Sequence, residues 1–344
     1  MPSLSTARFL HNGSRHALIG GERFSAPRAA GFRDTPTSEL ESLLSSIRSG
    51  QPWRSVVDAR FSATKPWLHS IITSPARTAF FESVLPSGDG LVLDLGSGWG
   101  QIARPLAHQR PVVALEPVAE RLNFIEESAR QEGVHQQITY LEADYLELEL
   151  ETRFTAICAI GVLEWVGAFQ THSDPQDRQR RFLQKVRSEL TAGGHLILGI
   201  ENRIGLKYLL GCPDDHLGVP GIACLPAPLA KARWLTHAGH ALQSFTYSPA
   251  ELSEMLCTAG FGKIEFFGAF PDYKLPQVIR PFGENGQELN TWLANGGAVP
   301  AEHNGYDGSP LSPEFNESLA AHYRTLAQEH TAHTFVPSFF VRAS

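Results

Sequence analysis

Cysteine is scarce in this chain, and its cysteines form no close pair. The four cysteines lie far apart in the 344 residues: Cys158, Cys212, Cys224 and Cys257. Without a C-x-x-C pair, the pattern has neither the spacing of a zinc-cysteine site nor that of a disulfide framework. We therefore expect free thiols, and no metal site is predicted.

Long apolar runs are also missing. The longest apolar block, residues 154–169, is interrupted by glycines and by Glu164, whereas a membrane-spanning helix needs about 20 apolar residues. The first 16 residues contain no apolar segment of signal-peptide length. We therefore expect no membrane span and a cytoplasmic location.

Positive charge is in the minority, with 29 Lys and Arg against 36 Asp and Glu. Because proteins bind nucleic acids mainly by neutralising phosphates, this balance argues against an extended nucleic-acid surface. The one basic cluster, residues 178–187, places Phe182, Val186 and Leu190 at helical spacing. Its arginines are therefore predicted to cover the exposed face of a helix.

From Leu91 onward, short apolar runs alternate with helical patterns. The runs at 91–95, 111–117, 138–144, 154–162 and 195–202 are almost continuously apolar, which is typical of parallel strands covered by helices on both faces. Their alternation with helices predicts a doubly wound α/β sheet. Further strands are predicted at 262–270 and 338–343.

The remaining segments suggest the domain organisation. Residues 1–75 are polar and mixed, and are predicted to form a helical and loop cap on a domain that spans 76–344. Two stretches at about 203–247 and 271–336 break the strand–helix alternation and are rich in Gly, Pro, His and aromatic residues. Long insertions of this kind are usually lids or binding loops.

A glycine-rich loop follows the first strong strand, in the stretch "VLDLGSGWGQ". Glycines at such a turn adopt unusual backbone angles and let a ligand approach the backbone closely. Asp94, Gly96, Gly98 and Gly100 form the pattern D-x-G-x-G-x-G. A dinucleotide fingerprint would need glycine at position 101, where Gln101 stands, so a nicotinamide dehydrogenase is disfavoured.

Acidic residues end the next two strands. Glu116 ends the second strand and is predicted to accept hydrogen bonds from a ribose diol. Asp144 ends the third strand within reach of an exocyclic amino group, and Tyr145 is predicted to lie flat on the base. Since ligands of open α/β sheets bind at the carboxyl ends of the strands, these residues are expected to form one site.

These motifs together resemble class I S-adenosylmethionine-dependent methyltransferases over residues 75–202. The resemblance rests on "LDLGSGWG", Glu116, Asp144 and "GVLEWVG". It implies a Rossmann-like seven-stranded sheet, mostly parallel with an antiparallel last strand, which "SFFVRA" can supply. Pro105 departs from the pattern, because it falls about one turn into the first helix. The implied S-adenosylmethionine site consists of Asp94, Gly96, Ser97, Gly98, Gly100, Glu116, Asp144, Tyr145 and Gly161.

Two further segments, "ENRIGLKYLLGCPDDHLG" and "FPDYKLPQVI", are similar to those of methyltransferases encoded among bacterial polysaccharide and secondary-metabolite genes. We expect a small-molecule or saccharide acceptor. The oligomeric state stays open, with a homodimer as one option.

Three residues are candidates for catalysis at the acceptor. Glu164 follows the fourth strand, and could remove a hydroxyl proton or bind a loop amide or the cofactor's amino group instead. His216 is a second candidate base, and Tyr273 a candidate pocket residue. Asp214, Asp215 and His216 could together hold a divalent metal, but an ordinary turn is favoured. Trp99 and Trp165 could either stabilise a sulfonium or seal the sheet edge.

O-methylation by in-line displacement is the predicted reaction. N- or C-methylation is the alternative within the same enzyme class, since a neutral amine needs little help from a base. A non-catalytic scaffold is the alternative from another class, although a scaffold has no need of the glycines and acids.

Overall fold

The computed structural model describes residues 6–26, 31–170 and 174–344. Residues 1–5 and 27–30 of the predicted cap lie outside that range. The strands are β1 (Thr6–His11), β2 (Ser14–Ile19), β3 (Arg23–Ser25), β4 (Val92–Leu95), β5 (Val112–Leu115), β6 (Ile138–Glu142), β7 (Leu148–Leu150), β8 (Phe154–Ile160), β9 (Leu190–Glu201), β10 (Ile264–Phe270), β11 (Val278–Pro281) and β12 (Ser338–Ala343). The helices are α1 (Thr37–Arg48), α2 (Trp53–Phe61), α3 (Pro66–Thr73), α4 (Phe80–Ser83), α5 (Ala103–Ala107), α6 (Ala119–Gln131), α7 (Pro175–Glu189), α8 (Leu206–Leu209), α9 (Ala227–Ala238), α10 (Pro249–Thr258), α11 (Gln287–Ala294) and α12 (Pro313–Gln328).

The main sheet has nine strands among the described residues, in the order β11-β10-β12-β9-β8-β4-β5-β6-β3. From β3 to β9 every neighbouring pair is parallel, while β12 runs antiparallel to both β9 and β10. The predicted count of seven strands is therefore too low. The two additional strands, β3 and β11, are short and lie at the two edges of the sheet.

Helices cover both faces of this sheet because its strands alternate apolar side chains between two cores. On one face Val92 packs with Leu106, Leu122 and Ile125 from α5 and α6. On the other face, a larger cluster joins the sheet to α7, α10, α11 and α12. The chain leaves β4 toward β5 on one side and later returns to β8 on the other, so the topological switch lies at β4, where ligands of such sheets bind.

Helix boundaries follow local signals in the sequence. Ser248 and Glu251 form a capping box at the start of α10, as predicted, and the Asp174 side chain caps α7 with Pro175 in its first turn. Pro105 lies at the third position of the five-residue helix α5, where a missing N–H costs no intrahelical bond.

The N-terminal segment contains three short strands, whereas the prediction for it was helices and loops. β1 and β2 form a hairpin whose β1 strand pairs antiparallel with β7, and β3 extends the main sheet beside β6. Helices α1 and α2 pack through Leu44, Val57 and Phe61 into a separate apolar cluster that also contains Trp99 and Phe124. The cap is thus joined to the domain by both sheet pairing and apolar packing.

The two insertions also contain regular structure, which the sequence pattern did not predict. The first holds α8 and α9, and the second holds β11, α11 and α12. No helix in the described residues is both long and apolar enough to span a membrane.

Candidate active site

The glycine loop after β4 turns sharply at the carboxyl edge of the sheet. Gly96, Gly98 and Gly100 all have positive φ, at 61°, 55° and 73°. A Cβ on Gly96 would lie 2.8 Å from Val162 Cγ2, so this position needs glycine for space as well as for conformation. A Cβ on Gly100 would instead meet Ile125 at 2.9 Å, so this glycine is required by packing against α6.

A cavity of about 160 Å³ opens in front of this loop. It is lined by residues from the ends of β4, β5, β6 and β8 and from the N-terminal segment. Five of the nine predicted cofactor residues line it: Gly96, Glu116, Asp144, Tyr145 and Gly161. Asp94 and Ser97 are buried at the base of the loop, where Ser97 Oγ donates to the Asp94 carbonyl at 2.8 Å.

Glu116 holds the loop in place from the end of β5. Its Oε2 accepts from Gly98 N at 2.8 Å and its Oε1 from Val118 N at 3.0 Å. Burial raises the pKa of Glu116, and the nearby Arg121 charge and these two N–H groups reduce that rise. Each carboxylate oxygen has a second lone pair, so Glu116 can still accept a hydrogen bond from a hydroxyl group of a ligand in the cavity.

Asp144 is held by two polar side chains, one of them from the basic cluster on α7. Its Oδ2 accepts from Arg178 Nη2 at 3.1 Å and from Gln170 Nε2 at 3.0 Å. Arg178 and Gln170 also line the cavity. The prediction that the arginines of this cluster only cover an exposed helix face is therefore wrong for Arg178, which is turned toward the site.

The aromatic candidates have different environments. Tyr145 is 5% exposed, its hydroxyl donates to Glu189 at 2.6 Å and its ring meets Phe182 edge-on, so it is held as part of the cavity wall. Trp99 is 1% exposed in the cap cluster, which supports a sealing role rather than a sulfonium contact. Trp165 lines the cavity.

The three candidate catalytic residues come together although 109 positions separate the first and last. Tyr273 Oη donates to Glu164 Oε1 at 3.4 Å, and His216 Nε2 lies 3.8 Å from the same oxygen. A Cβ on Gly161 would lie 2.9 Å from Tyr273 Oη and 3.6 Å from Glu164 Oε1. Gly161, which has φ +73°, is therefore the wall between the cavity and this group.

The pKa values of Glu164 and His216 are shifted for different reasons, which bears on the role of each residue. Burial raises the pKa of Glu164, and the Glu201 charge adds to the rise against the opposing effect of His216. Burial alone would lower the pKa of His216, but the Glu201, Asp214 and Glu164 carboxylates hold it well above its ordinary range. A base must start unprotonated, and the raised pKa of His216 disfavours it in that role, which leaves Glu164 as the candidate base.

Charged residues that sequence reasoning missed extend this group. Lys274 contacts Glu201 directly and lies 3.3 Å from Asp215 Oδ2, while Lys207 Nζ lies 2.9 Å from that oxygen. The sequence signal that could have found them is their position at strand ends. Glu201 is the last residue of β9, and Lys274 lies four residues after β10.

Glu164, Glu201 and His216 also have ligand atoms within 4.8 Å of one another, a spacing that could hold a metal ion. Two carboxylates and one imidazole suit a divalent cation. Lys274 and the imidazolium of His216 already supply positive charge at these carboxylates, so the prediction without a metal is retained.

Arg77 is a second residue that the sequence analysis missed. It is 6% exposed, and its Nη1 donates to the Lys274 carbonyl at 2.8 Å while its Nε has no partner. Asp94 nearby has an unpartnered Oδ2, and burial raises the pKa of Asp94 to about 7 against the opposing effects of Ser97 and Arg77. Both atoms are buried without a hydrogen-bond partner, and neither residue lines the cavity in front of the glycine loop.

A second cavity, of about 210 Å³, lies on the other side of the charged group. Its walls come from α3, from α8, from the turn after β10 and from the second insertion. Half-buried Trp67 lines it together with Lys207, Asp272 and Gln277. Asp272 directly precedes Tyr273, so this cavity adjoins the group formed by Glu164, His216 and Tyr273.

The central part of the chain is similar to known proteins. Residues 92–194 match the family described as a methyltransferase domain. The chain is 29% identical over 121 residues to the ubiquinone biosynthesis O-methyltransferase of Rickettsia akari, covering 35% of this chain and 43% of that protein. It is 25% identical over 184 residues to the enzyme of the same name from Rickettsia canadensis, covering 53% and 66%. It thus spans less than two thirds of either relative.

Among solved structures, the chain resembles phosphoethanolamine N-methyltransferase 2 of Haemonchus contortus in complex with S-adenosyl-L-methionine. The identity is 15%, the TM-score is 0.45, and the match covers 88% of this chain and 60% of that chain.

Proposed function

We propose that this chain, which carries a methyltransferase domain of the class I, S-adenosylmethionine-dependent type, methylates a hydroxyl group of a small polar acceptor. The observation that carries the proposal is the wall that Gly161 forms. Gly161 lines the first cavity, and the space that its Cβ would occupy is next to Tyr273 Oη and Glu164 Oε1.

The cavity fits the cofactor on three observations. Gly96 lines the cavity and has no side chain. Glu116 and Asp144, at the ends of adjacent strands, have acceptor oxygens for a ribose and an amino group. Arg77 and Asp94 carry unpartnered polar atoms buried outside the cavity lining, and these atoms would suit the carboxylate and ammonium of an amino-acid tail if the site opened toward them.

S-adenosylmethionine brings an activated methyl group, so the protein has mainly to bind, orient and exclude water. Glu164 is proposed to accept the acceptor's hydroxyl proton, since its raised pKa brings it closer to neutral pH. Burial keeps the pKa of Tyr273 well above its ordinary value, so its phenol stays a donor that orients Glu164. His216 is proposed to stabilise the ionised Glu164 carboxylate through its positive charge.

The second cavity is proposed to admit the acceptor. Trp67 offers an aromatic face, and Asp272 and Gln277 offer polar groups, a combination that suits a polyhydroxylated ring such as a sugar. We expect Trp67→Ala to raise the KM for the acceptor by about tenfold and to leave the affinity for S-adenosylhomocysteine unchanged.

Calorimetry with S-adenosylhomocysteine tests the cofactor part of the proposal. We expect binding by the native protein and at least about tenfold weaker binding by Glu116→Ala, because a charge-assisted acceptor is lost. Asp177→Asn, on the exposed side of α7, is the control and should bind normally. No binding by the native protein would refute the proposal.

Labelled cofactor tests the reaction. The protein is incubated with methyl-labelled S-adenosylmethionine and fractionated cell extracts, and labelled products are fragmented in a mass spectrometer. We expect the label on an oxygen. A label on nitrogen or carbon would overturn the hydroxyl assignment while leaving methyl transfer intact.

A further inference from the structure

The cavity in front of the glycine loop has a wall that lies far outside the matched domain. Residues 31–35, here called the N-terminal strap, precede α1, and Gly31 and Phe32 from this strap line the cavity. The family match begins at residue 92. The strap therefore stands at the site only through contacts with the domain.

The first contact is aromatic. Phe32 stacks on Trp165 with ring centroids 4.5 Å apart and an angle of 25° between the planes, and Trp165 in turn stacks on Phe169 at 6.2 Å. Phe32 remains 41% exposed in spite of this stack. A large exposed aromatic ring at a cavity mouth gains free energy when a flat ligand covers it.

The second contact is electrostatic and involves both sides of the cofactor cavity. Asp34 Oδ2 lies 2.8 Å from Arg121 Nη2 of α6 and accepts from Trp99 Nε1 of the glycine loop at 3.1 Å. Arg121 is buried and lines the cavity beside Glu116. Asp34 thus connects the strap to the glycine loop and to Arg121, whose charge stabilises the ionised form of Glu116.

The third contact is a close backbone approach. A Cβ on Gly31 would lie 2.7 Å from Pro117 Cγ. Pro117 directly follows Glu116 and also lines the cavity. Only glycine lets the strap lie this close to the end of β5.

From these contacts we infer that the N-terminal strap is part of the cofactor site, with Phe32 covering the nucleoside and Asp34 positioning Arg121 and the glycine loop. The inference rests on the proposed function, because the ligand it assigns is S-adenosylmethionine or its demethylated product. The cap is accordingly a component of the binding site as well as a cover on the fold.

The test compares S-adenosylhomocysteine binding by the full chain and four variants. We expect Phe32→Ala and Asp34→Asn each to raise the Kd about fivefold or more, mainly through faster dissociation in stopped-flow measurements. Phe32→Tyr keeps the ring and should restore near-native affinity. Arg48→Ala is the matched control, because it breaks a cap contact to Glu127 (2.9 Å) on the exposed surface away from the cavity.

Thermal unfolding without ligand checks that each variant folds. Native affinity in both Phe32→Ala and Asp34→Asn would overturn the inference, and so would an equal loss in Arg48→Ala, which would indicate general loosening of the cap. If the native chain itself failed to bind S-adenosylhomocysteine, the proposed function and this inference would fall together. Binding by the native chain with unaffected strap variants would refute the inference alone.

Discussion

The cofactor side and the acceptor side of this site stabilise their buried carboxylates in different ways. On the cofactor side, Glu116 accepts two backbone N–H groups that lie within 18 positions of it. On the acceptor side, Glu164 and Glu201 face His216 and Lys274, which come from the first insertion and from the turn after β10. The partners of Glu116 are close to it in the sequence, whereas those of Glu164 and Glu201 come from distant parts of the chain.

The half of the site around Glu164 and Glu201 therefore depends more on distant parts of the chain. Backbone donors remain in place as long as the strand and loop are folded. Charged side chains from insertions must be brought together by tertiary structure, and removing one leaves its partner buried and unpaired.

Removing the proposed base should have the largest effect. We expect Glu164→Gln to lower kcat by about 10²–10⁴-fold, because an amide cannot take up the proton that the Glu164 carboxylate is proposed to accept. The affinity for S-adenosylhomocysteine should stay native, since Glu164 lies behind Gly161. The measurement pairs product formation with calorimetry.

The exposed Glu149→Gln on β7 is the control for that change and should keep native kcat. A native rate in Glu164→Gln would mean that Glu164 is not the base. It would point to an amine acceptor, which needs little help in losing a proton.

Removing a cation should destabilise the acceptor side. We expect Lys274→Met to lower the free energy of unfolding by about 3–5 kcal/mol, because Glu201 loses its direct cationic partner in the interior. Lys263→Met breaks the surface pair with Glu265 and should cost less than about 1 kcal/mol. Urea unfolding measures both, and equal small losses would contradict the comparison.

Raising the pH should weaken the fold through Asp94. Its folded pKa of about 7 exceeds the ordinary 3.8, so between about pH 4 and 7 the folded protein holds a proton that the unfolded chain has lost. The free energy of unfolding should therefore fall with rising pH across this window, by up to ~4 kcal/mol.

Urea unfolding at several pH values checks this slope. Asp94→Asn should flatten it, whereas Asp89→Asn, on the exposed loop before β4, should leave it unchanged. An unaltered slope in Asp94→Asn would mean that Asp94 does not hold the proton.

Chelation should have the smallest effect. We expect EDTA to leave the rate unchanged, because Lys274 and the His216 imidazolium already compensate Glu201 and Glu164. A loss of activity that Mn²⁺ restores would show that these carboxylates hold a cation instead.

Sequence reasoning reached the parts of the fold that depend on local patterns. The apolar runs predicted the central strands, and Ser248 with Glu251 predicted the start of α10. The edge strands β3 and β11 were missed because strands of three and four residues carry too little periodicity.

The same distinction holds in the site. Glu116 and Asp144 could be found because each ends a recognisable strand. Arg178, Arg121 and Phe32 could not, since nothing in a helix pattern or an irregular segment says which side chain turns toward a distant loop. Their placement is a property of packing, which the linear sequence does not display.

The pairing of β3 with β6 has a consequence for biosynthesis. Arg23 on β3 contacts Glu142 on β6 across 119 positions of the chain, and β1 pairs with the still later β7. During synthesis, β1 and β3 therefore leave the ribosome well before β7 and β6, the strands with which they pair, have been translated. They can join the two sheets only after that later stretch has emerged, so the edge of the main sheet beside β6 is completed late relative to its position in the chain.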